Sequence, residues 1–180
     1  MNKLNNIWTC WIHLQNDTNW DINSYRKITT FDTLEKCIIF VENFNKIILK
    51  KCMVFIMRDD ILPLWENISN IKGGCFSYKI SNNLVCNVWN TLCYYLIGQT
   101  IHKNTDVVKS INGISISPKK NFCIIKLWLS DINNIKNCED IYNFINNKNL
   151  NEFEDFDPFN IHKLCNIEKQ MCVFKKHELV

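Results

Sequence analysis

Trp20 and Trp65 lie in stretches of loop character, and Glu66 follows the second directly. Two indoles can stack on both faces of a flat, positively charged base while a neighbouring carboxylate reads its edge. Stacking on an aromatic ring contributes about 1–3 kcal/mol per base. A cationic base adds a cation–π attraction of about 0.5–2 kcal/mol. This trio is the strongest chemical signal in the chain.

The surrounding segments suit loops carried on a sheet. Asn16-Asp17-Thr18-Asn19-Trp20-Asp21 is rich in turn formers and separates two strand-like runs, 7–15 and 25–31. Residues 58–72, holding Pro63 and Trp65 and closed by Gly73-Gly74, form a connection long enough to suggest function. Further strands are expected over 52–57, 75–80, 110–117, 122–129, 159–167 and 171–175. Asp32 with Glu35 has the pattern of a helix-starting capping box, and Leu34, Cys37, Ile38, Val41, Phe44 and Ile48 follow at helical spacing. A second amphipathic helix covers 84–96 and ends at Gly98, and a third is expected over 138–145.

This pattern predicts one α+β domain spanning residues 1–180, an antiparallel sheet with helices on one face. In the strand 122–129, Cys123, Ile125, Leu127 and Leu129 form a uniformly apolar side that should meet the helices. Phe122, Ile124, Lys126 and Trp128 form the other side, where a lysine beside a tryptophan suits a partly open ligand surface. Trp8, Trp11 and Trp89 read as core.

Net charge is +3, too mild for a general nucleic-acid coat, so phosphate recognition should be local. The abundance of asparagine, isoleucine and lysine is the bias of an AT-rich genome, as in a large DNA virus or an AT-rich protist. Met1–Leu14 lacks the apolar run of a secretory signal, no stretch could span a membrane, and the ten cysteines include no C-x-x-C pair. Reduced, mostly buried thiols in a cytoplasmic protein are expected. His162, Cys165, Cys172 and His177 have a spacing loosely like a zinc site. On two C-terminal strands, however, His162 and Cys165 would face opposite ways, so no metal or other cofactor is expected.

In order and spacing, Trp8-Thr9-Cys10-Trp11, Trp20, Phe31-Asp32-Thr33-Leu34-Glu35, Pro63-Leu64-Trp65-Glu66 with Gly73-Gly74, Trp89 with Leu96-Ile97-Gly98, and Lys119 with Trp128 resemble the eukaryotic translation initiation factor 4E family, the mRNA cap-binding proteins. The chain keeps six tryptophans, with Ile38 and Phe76 where the resemblance would place two more. The resemblance implies a curved antiparallel β-sheet with three helices on its convex face and a concave ligand-binding face. It also implies a role in translation initiation, binding the 7-methylguanosine cap of mRNA. Trp20 and Trp65 would sandwich the methylated guanine, and Glu66 would accept from its N1–H and exocyclic amine. The backbone N–H of Trp65 or Glu66 would bind O6, and Trp128 would touch the methyl group.

The departures fall on the phosphates and the helical face. Lys119 fits one basic position of the family, with Lys120 beside it, whereas Cys75 and Ile124 stand where two others would be. Lys126 shares a strand face with Ile124, so Lys126 and Lys119 are expected to share the triphosphate, aided by Lys72. Lysine supplies a point charge rather than a fork, giving a looser grip. Where the family docks its scaffold, initiation factor 4G, this chain has Asn2-Lys3, Leu34, Ile38 and Asn90, and the family's N-terminal tail is nearly absent. A divergent 4G-like scaffold is the expected partner besides capped mRNA. The alternative is a cap-binding repressor that recruits no scaffold. A cap-processing enzyme is the remaining reading. It would need clustered carboxylates, and Glu152, Glu154, Asp155 and Asp157 sit in a loop-like run without a helical frame.

Overall fold

The computed structural model describes residues 1–130, 159, 161–165 and 172–177. Seven strands form one sheet: β1 Lys3–Leu14, β2 Tyr25–Thr33, β3 Cys52–Arg58, β4 Gly74–Ser81, β5 Ile111–Pro118, β6 Phe122–Leu129 and β7 Cys172–Lys176. Their spatial order is β2-β1-β3-β5-β6-β4-β7, and every neighbouring pair is antiparallel. Register shifts in β1 against β2 and in β5 against β6 bend these strands, and the sheet is curved and open.

Helices cover one face. α1 (Leu34–Asn43) and α2 (Val85–Ile97) pack there, joined by the short α3 (Thr105–Lys109) and a helical turn, α4 (Ile161–Leu164). α2 inserts Val85, Val88, Trp89, Leu92, Cys93 and Leu96 into the core, the stripe expected of a helix lying on a sheet. The sheet answers with Trp8, Cys10, Val54, Ile56, Phe76, Tyr78, Ile114, Ile116 and the uniformly apolar side of β6. Buried Arg58 lies over the Trp8 ring at 5.4 Å and donates to the carbonyls of Val108 and Lys109, tying α3 to the end of β3.

Several local expectations need correction. The α1 cap is Thr33, whose hydroxyl accepts from the Lys36 N–H, while Asp32 pairs with the Lys36 ammonium at 2.7 Å. The helix stops at Asn43, and Ile48 belongs to a separate 3-10 turn, Ile48–Lys50. Residues 161–164, expected as strand, are helical, so His162 and Cys165 are not related by strand alternation. The expected helix over 138–145 and the acidic run 152–157 lie outside the described residues.

The other face of the sheet carries a second, smaller apolar cluster. Tyr25, Phe55, Met57 and Trp128 form its buried part, flanked by Trp11, Ile22, Met53, Ile61, Leu64 and Trp65. Trp11 therefore belongs to this face, not to the main core with Trp8 and Trp89.

Candidate nucleotide-binding site

Two asparagine-rich loops rise from this second cluster, each carrying one of the two tryptophans. In the first loop, three successive side chains accept from the backbone N–H two residues on: Asp17 from Asn19, Asn19 from Asp21 and Asp21 from Asn23. Such Asx turns give the chain a local substitute for a ladder. The Asn19 side-chain amide, followed by the Asn23 N–H, holds the Asp21 carboxyl below its ordinary range. Trp20 projects from this frame 53% exposed.

The second loop is organised around Asn70. Its buried side-chain amide donates to the carbonyls of Leu62 (2.9 Å) and Leu64 (2.7 Å), closing the segment that ends in Trp65. Asn112 on β5 completes the arrangement by donating to the Asn70 side-chain oxygen at 2.9 Å and to the Ser69 carbonyl at 2.7 Å. Gly73 then turns into β4. A Cβ there would stand 2.0 Å from the Leu129 carbonyl oxygen, so no larger residue fits without moving backbone.

A buried histidine lies against each tryptophan. His13 stacks on Trp20 with centroids 4.4 Å apart and planes 5° from parallel, and its Nε2 donates to the Asn19 carbonyl at 2.8 Å. His177 stacks on Trp65 at 5.4 Å and 14°, and its Nδ1 donates to the Asn70 carbonyl at 2.7 Å. Each imidazole thus fixes an indole and the loop that bears it.

Between these ends runs an unbroken series of rings: His13 to Tyr25 (4.7 Å), Tyr25 to Phe55 (5.5 Å), Phe55 to Trp128 (6.1 Å) and Trp128 to His177 (5.1 Å). Trp128 is only 2% exposed and donates its indole N–H to Ser115 Oγ at 2.9 Å, so it belongs to the floor of the site rather than a wall. Glu66 is exposed and, among the described residues, its carboxylate has no ion-pair partner. Its charge nevertheless acts on two rings of the series, Tyr25 and His177. Burial first, then Glu66, pushes the Tyr25 phenol up to about 12. Burial lowers His177, opposed by the Asn70 hydrogen bond and by Glu66 and reinforced by Lys126.

The expected basic residues divide by position. Lys126 Nζ lies 5.2 Å from the Trp65 ring centroid. Lys119 and Lys120 are exposed in the turn between β5 and β6, at the opposite end of β6 from Trp128, and no contact joins them to either stacking tryptophan. Lys72 is exposed just before the glycine pair. Leu34 and Ile38 are exposed on α1, and Asn90 is half-buried on α2, on the opposite side of the molecule.

Sequence reasoning missed the roles of His13, Asn70, Asn112 and His177, and of Lys175 on β7, whose Nζ lies 5.8 Å from the Trp65 ring centroid. His13 had a signal, since it shares a β1 face with Trp11. The role of His177 had none, because its partner Asn70 is 107 residues away. The four residues of the zinc-like spacing fall on different elements: His162 is on α4, Cys165 follows it and packs against α2 through the Val88 carbonyl, Cys172 is on β7, and His177 is engaged as above. Among the described residues no three His, Cys, Asp or Glu side chains converge as metal ligands, and the nine described cysteines are free thiols. No helix among them is long and apolar enough to cross a membrane.

The family model for eukaryotic initiation factor 4E matches residues 3–176. The chain is 27% identical over 136 residues to a eukaryotic translation initiation factor 4E homolog of Acanthamoeba polyphaga mimivirus, covering 64% of this chain and 50% of that protein. It is 30% identical over 141 residues to eukaryotic translation initiation factor 4E1 of Drosophila melanogaster, covering 73% and 51%. The matched regions thus span about half the length of these relatives. Among solved structures, the fold is similar to Ascaris suum eIF4E-3 with m7G cap (TM-score 0.75, 15% identity, 98% of this chain and 92% of that one). It is also similar to C. elegans eIF4E-3 with the 4E-binding protein Mextli and cap analog (TM-score 0.73, 18% identity, 98% and 92%). With the match running from the first strand to the last, the chain belongs to the eukaryotic initiation factor 4E family.

Proposed function

We propose that this protein binds the 7-methylguanosine cap of mRNA on the face of the sheet opposite the helices and brings capped mRNA to the translation machinery in the cytoplasm. One observation carries the reading: two loop tryptophans, each fixed by a buried histidine, stand at the two ends of a continuous aromatic floor with the Glu66 carboxylate available at that floor. Trp20 and Trp65 stack on the methylated guanine, Glu66 accepts from its N1–H and amine, and Trp128 lies beneath the methyl group. Lys126 meets the triphosphate, with Lys72 and the Lys119–Lys120 turn further along. Nothing in this role calls for catalysis; the site binds.

Calorimetric titration with methylated and unmethylated guanosine triphosphate tests it. The methylated ligand should bind more tightly, and Trp20→Ala or Trp65→Ala should each cost about 1–3 kcal/mol, roughly 5- to 150-fold in affinity. Equal affinity for the two ligands, or tryptophan variants that bind as the parent does, would overturn the reading.

The helical face supports a protein partner as well. Leu34 and Ile38 are one turn apart on α1 and 42% and 43% exposed, with Ile39 beside them at 63%. We assign this face, with Asn90, to a divergent 4G-like scaffold. Affinity purification on immobilised cap should recover such a scaffold with the parent protein but not with Leu34→Asp. Recovery of capped mRNA with no protein partner would favour the repressor reading instead.

A further inference from the structure

Two lysines from different strands converge on one indole. Lys126 Nζ on β6 and Lys175 Nζ on β7 lie 5.2 and 5.8 Å from the Trp65 ring centroid. The register explains how they meet. Lys126 is opposite Ser77 on β4, and Lys175 is opposite Cys75, two residues earlier on the same strand and therefore on the same face. Cys75 is in turn opposite Trp128. The lysines thus stand beside two small side chains on that face, the Cys75 thiol and the Ser77 hydroxyl.

Among the described residues neither ammonium has a carboxylate partner. Both act on the Cys75 thiol, which burial pushes up and the two lysines pull down. Two like charges over one ring repel each other, and an anion placed between them removes that repulsion while accepting from both. Lys176, the next residue on β7, has the same charge but faces the opposite side of the strand.

We infer that Lys175 is a second phosphate ligand of the cap, clamping the triphosphate together with Lys126 where the base leaves Trp65. This assignment rests on the cap-binding reading. It differs from any reading of the basic residues by sequence order, because Lys175 is brought in by strand pairing from near the C-terminal end of the chain.

The test is isothermal titration of 7-methylguanosine triphosphate and of 7-methylguanosine nucleoside against the parent, Lys175→Ala, Lys175→Arg and Lys176→Ala, each at several salt concentrations. Lys175→Ala should weaken the triphosphate by about five- to tenfold, as expected for losing one charge-assisted contact at a partly exposed site. It should leave the nucleoside unchanged and reduce the salt slope by about one. Lys175→Arg should retain triphosphate binding, and Lys176→Ala should stay within about twofold of the parent, as for a surface charge on the other face. Equal losses for both ligands in Lys175→Ala, or an equal loss in Lys176→Ala, would overturn the assignment and leave the cap reading standing. A parent protein that binds neither ligand would sink both.

Discussion

His177 and Asn70 are joined by a 2.7 Å hydrogen bond from an imidazole Nδ1–H to a backbone carbonyl, across 107 residues of sequence. The bond ties the residue following β7 to the loop that carries Trp65 and Glu66. The same imidazole stacks on Trp65 and tilts against Trp128. The backbone N–H of His177 donates to the Gly73 carbonyl at 3.0 Å, so backbone and side chain both hold the loop. One residue thus sets the height of a stacking indole above the aromatic floor.

This bond makes the loop sensitive to acid. The Asn70 carbonyl can only accept, so Nδ1 carries the hydrogen, and in the neutral ring Nε2 is the bare nitrogen. Nε2 is buried and, among the described residues, has no hydrogen-bond partner. Protonation would bury a cationic N–H without an acceptor, and Lys126 opposes it further; the Asn70 bond and Glu66 resist only in part. Because the folded-state pKa is lowered, the unfolded chain binds more protons just below the ordinary histidine value. Stability is therefore full above about pH 6.5 and is lost as pH falls from there toward the depressed value. Thermal melts at stepped pH should show the parent losing more between pH ~7.5 and ~5.5 than His177→Phe, which keeps an aromatic ring but cannot titrate. Parallel pH profiles for the two proteins would contradict the expectation.

The buried amide pair beneath the same loop gives a second prediction. Asn70→Ala removes two bonds to the Leu62 and Leu64 carbonyls and one of the two bonds that the Asn112 amide donates, in a part-buried to buried setting. The cost should be about 1–3 kcal/mol in denaturant unfolding, since buried groups left unpaired pay their desolvation. Limited proteolysis should also cut within residues 60–72 faster than in the parent. Asn67→Ala, which loses only the bond to the Ser69 N–H, serves as the milder comparison. Equal stability of Asn70→Ala and the parent would show that the network does not hold the loop.

How much of this was legible in the sequence depends on the range of the interaction. The alternation along β6 and the stripe of α2 are local patterns, and both faces came out as read. The two tryptophan loops were legible because asparagine and aspartate act on backbone two residues away. The α1 cap was misplaced by one residue because Asp32 and Thr33 are adjacent cap formers and Lys36 engages the aspartate. Trp11 was assigned to the wrong face although its parity against Trp8 was available. Residues 161–164 offered one helical turn, too short to display a period. The clamping of Trp65 by His177 and the arrival of Lys175 beside Lys126 depend on strand order, which no local pattern encodes.

The symmetry of the two histidines yields a prediction for the other wall. His13→Phe should preserve stacking on Trp20 while losing the bond to the Asn19 carbonyl, whereas His13→Ala loses both. Cap affinity, by titration calorimetry, should therefore fall in the order parent, His13→Phe, His13→Ala, with the alanine variant down about 0.5–1.5 kcal/mol beyond the phenylalanine one for the lost aromatic pair. If alanine and phenylalanine bind alike, the ring at position 13 does not orient Trp20.

Gly73 is where the site and the sheet share one constraint. Its φ is not positive, so the requirement is space rather than conformation. A methyl group there meets the carbonyls of Leu129 and Ser130 at 2.0 and 2.4 Å, both backbone atoms that cannot swing aside like a side chain. The junction of β4 with β6 would have to part, and the Gly73 carbonyl that receives the His177 N–H would move with it. Gly73→Ala should thus cost at least about 2–3 kcal/mol, the upper part of the range for overpacking. The neighbouring exposed Lys72→Ala should stay within about 0.5 kcal/mol of the parent. Near-UV circular dichroism adds a readout specific to the site, because displacement of His177 should change the signal of Trp65 and Trp128 before the fold melts. Gly73→Ala with parental stability and an unchanged tryptophan spectrum would mean that β4 and β6 can yield there at little cost.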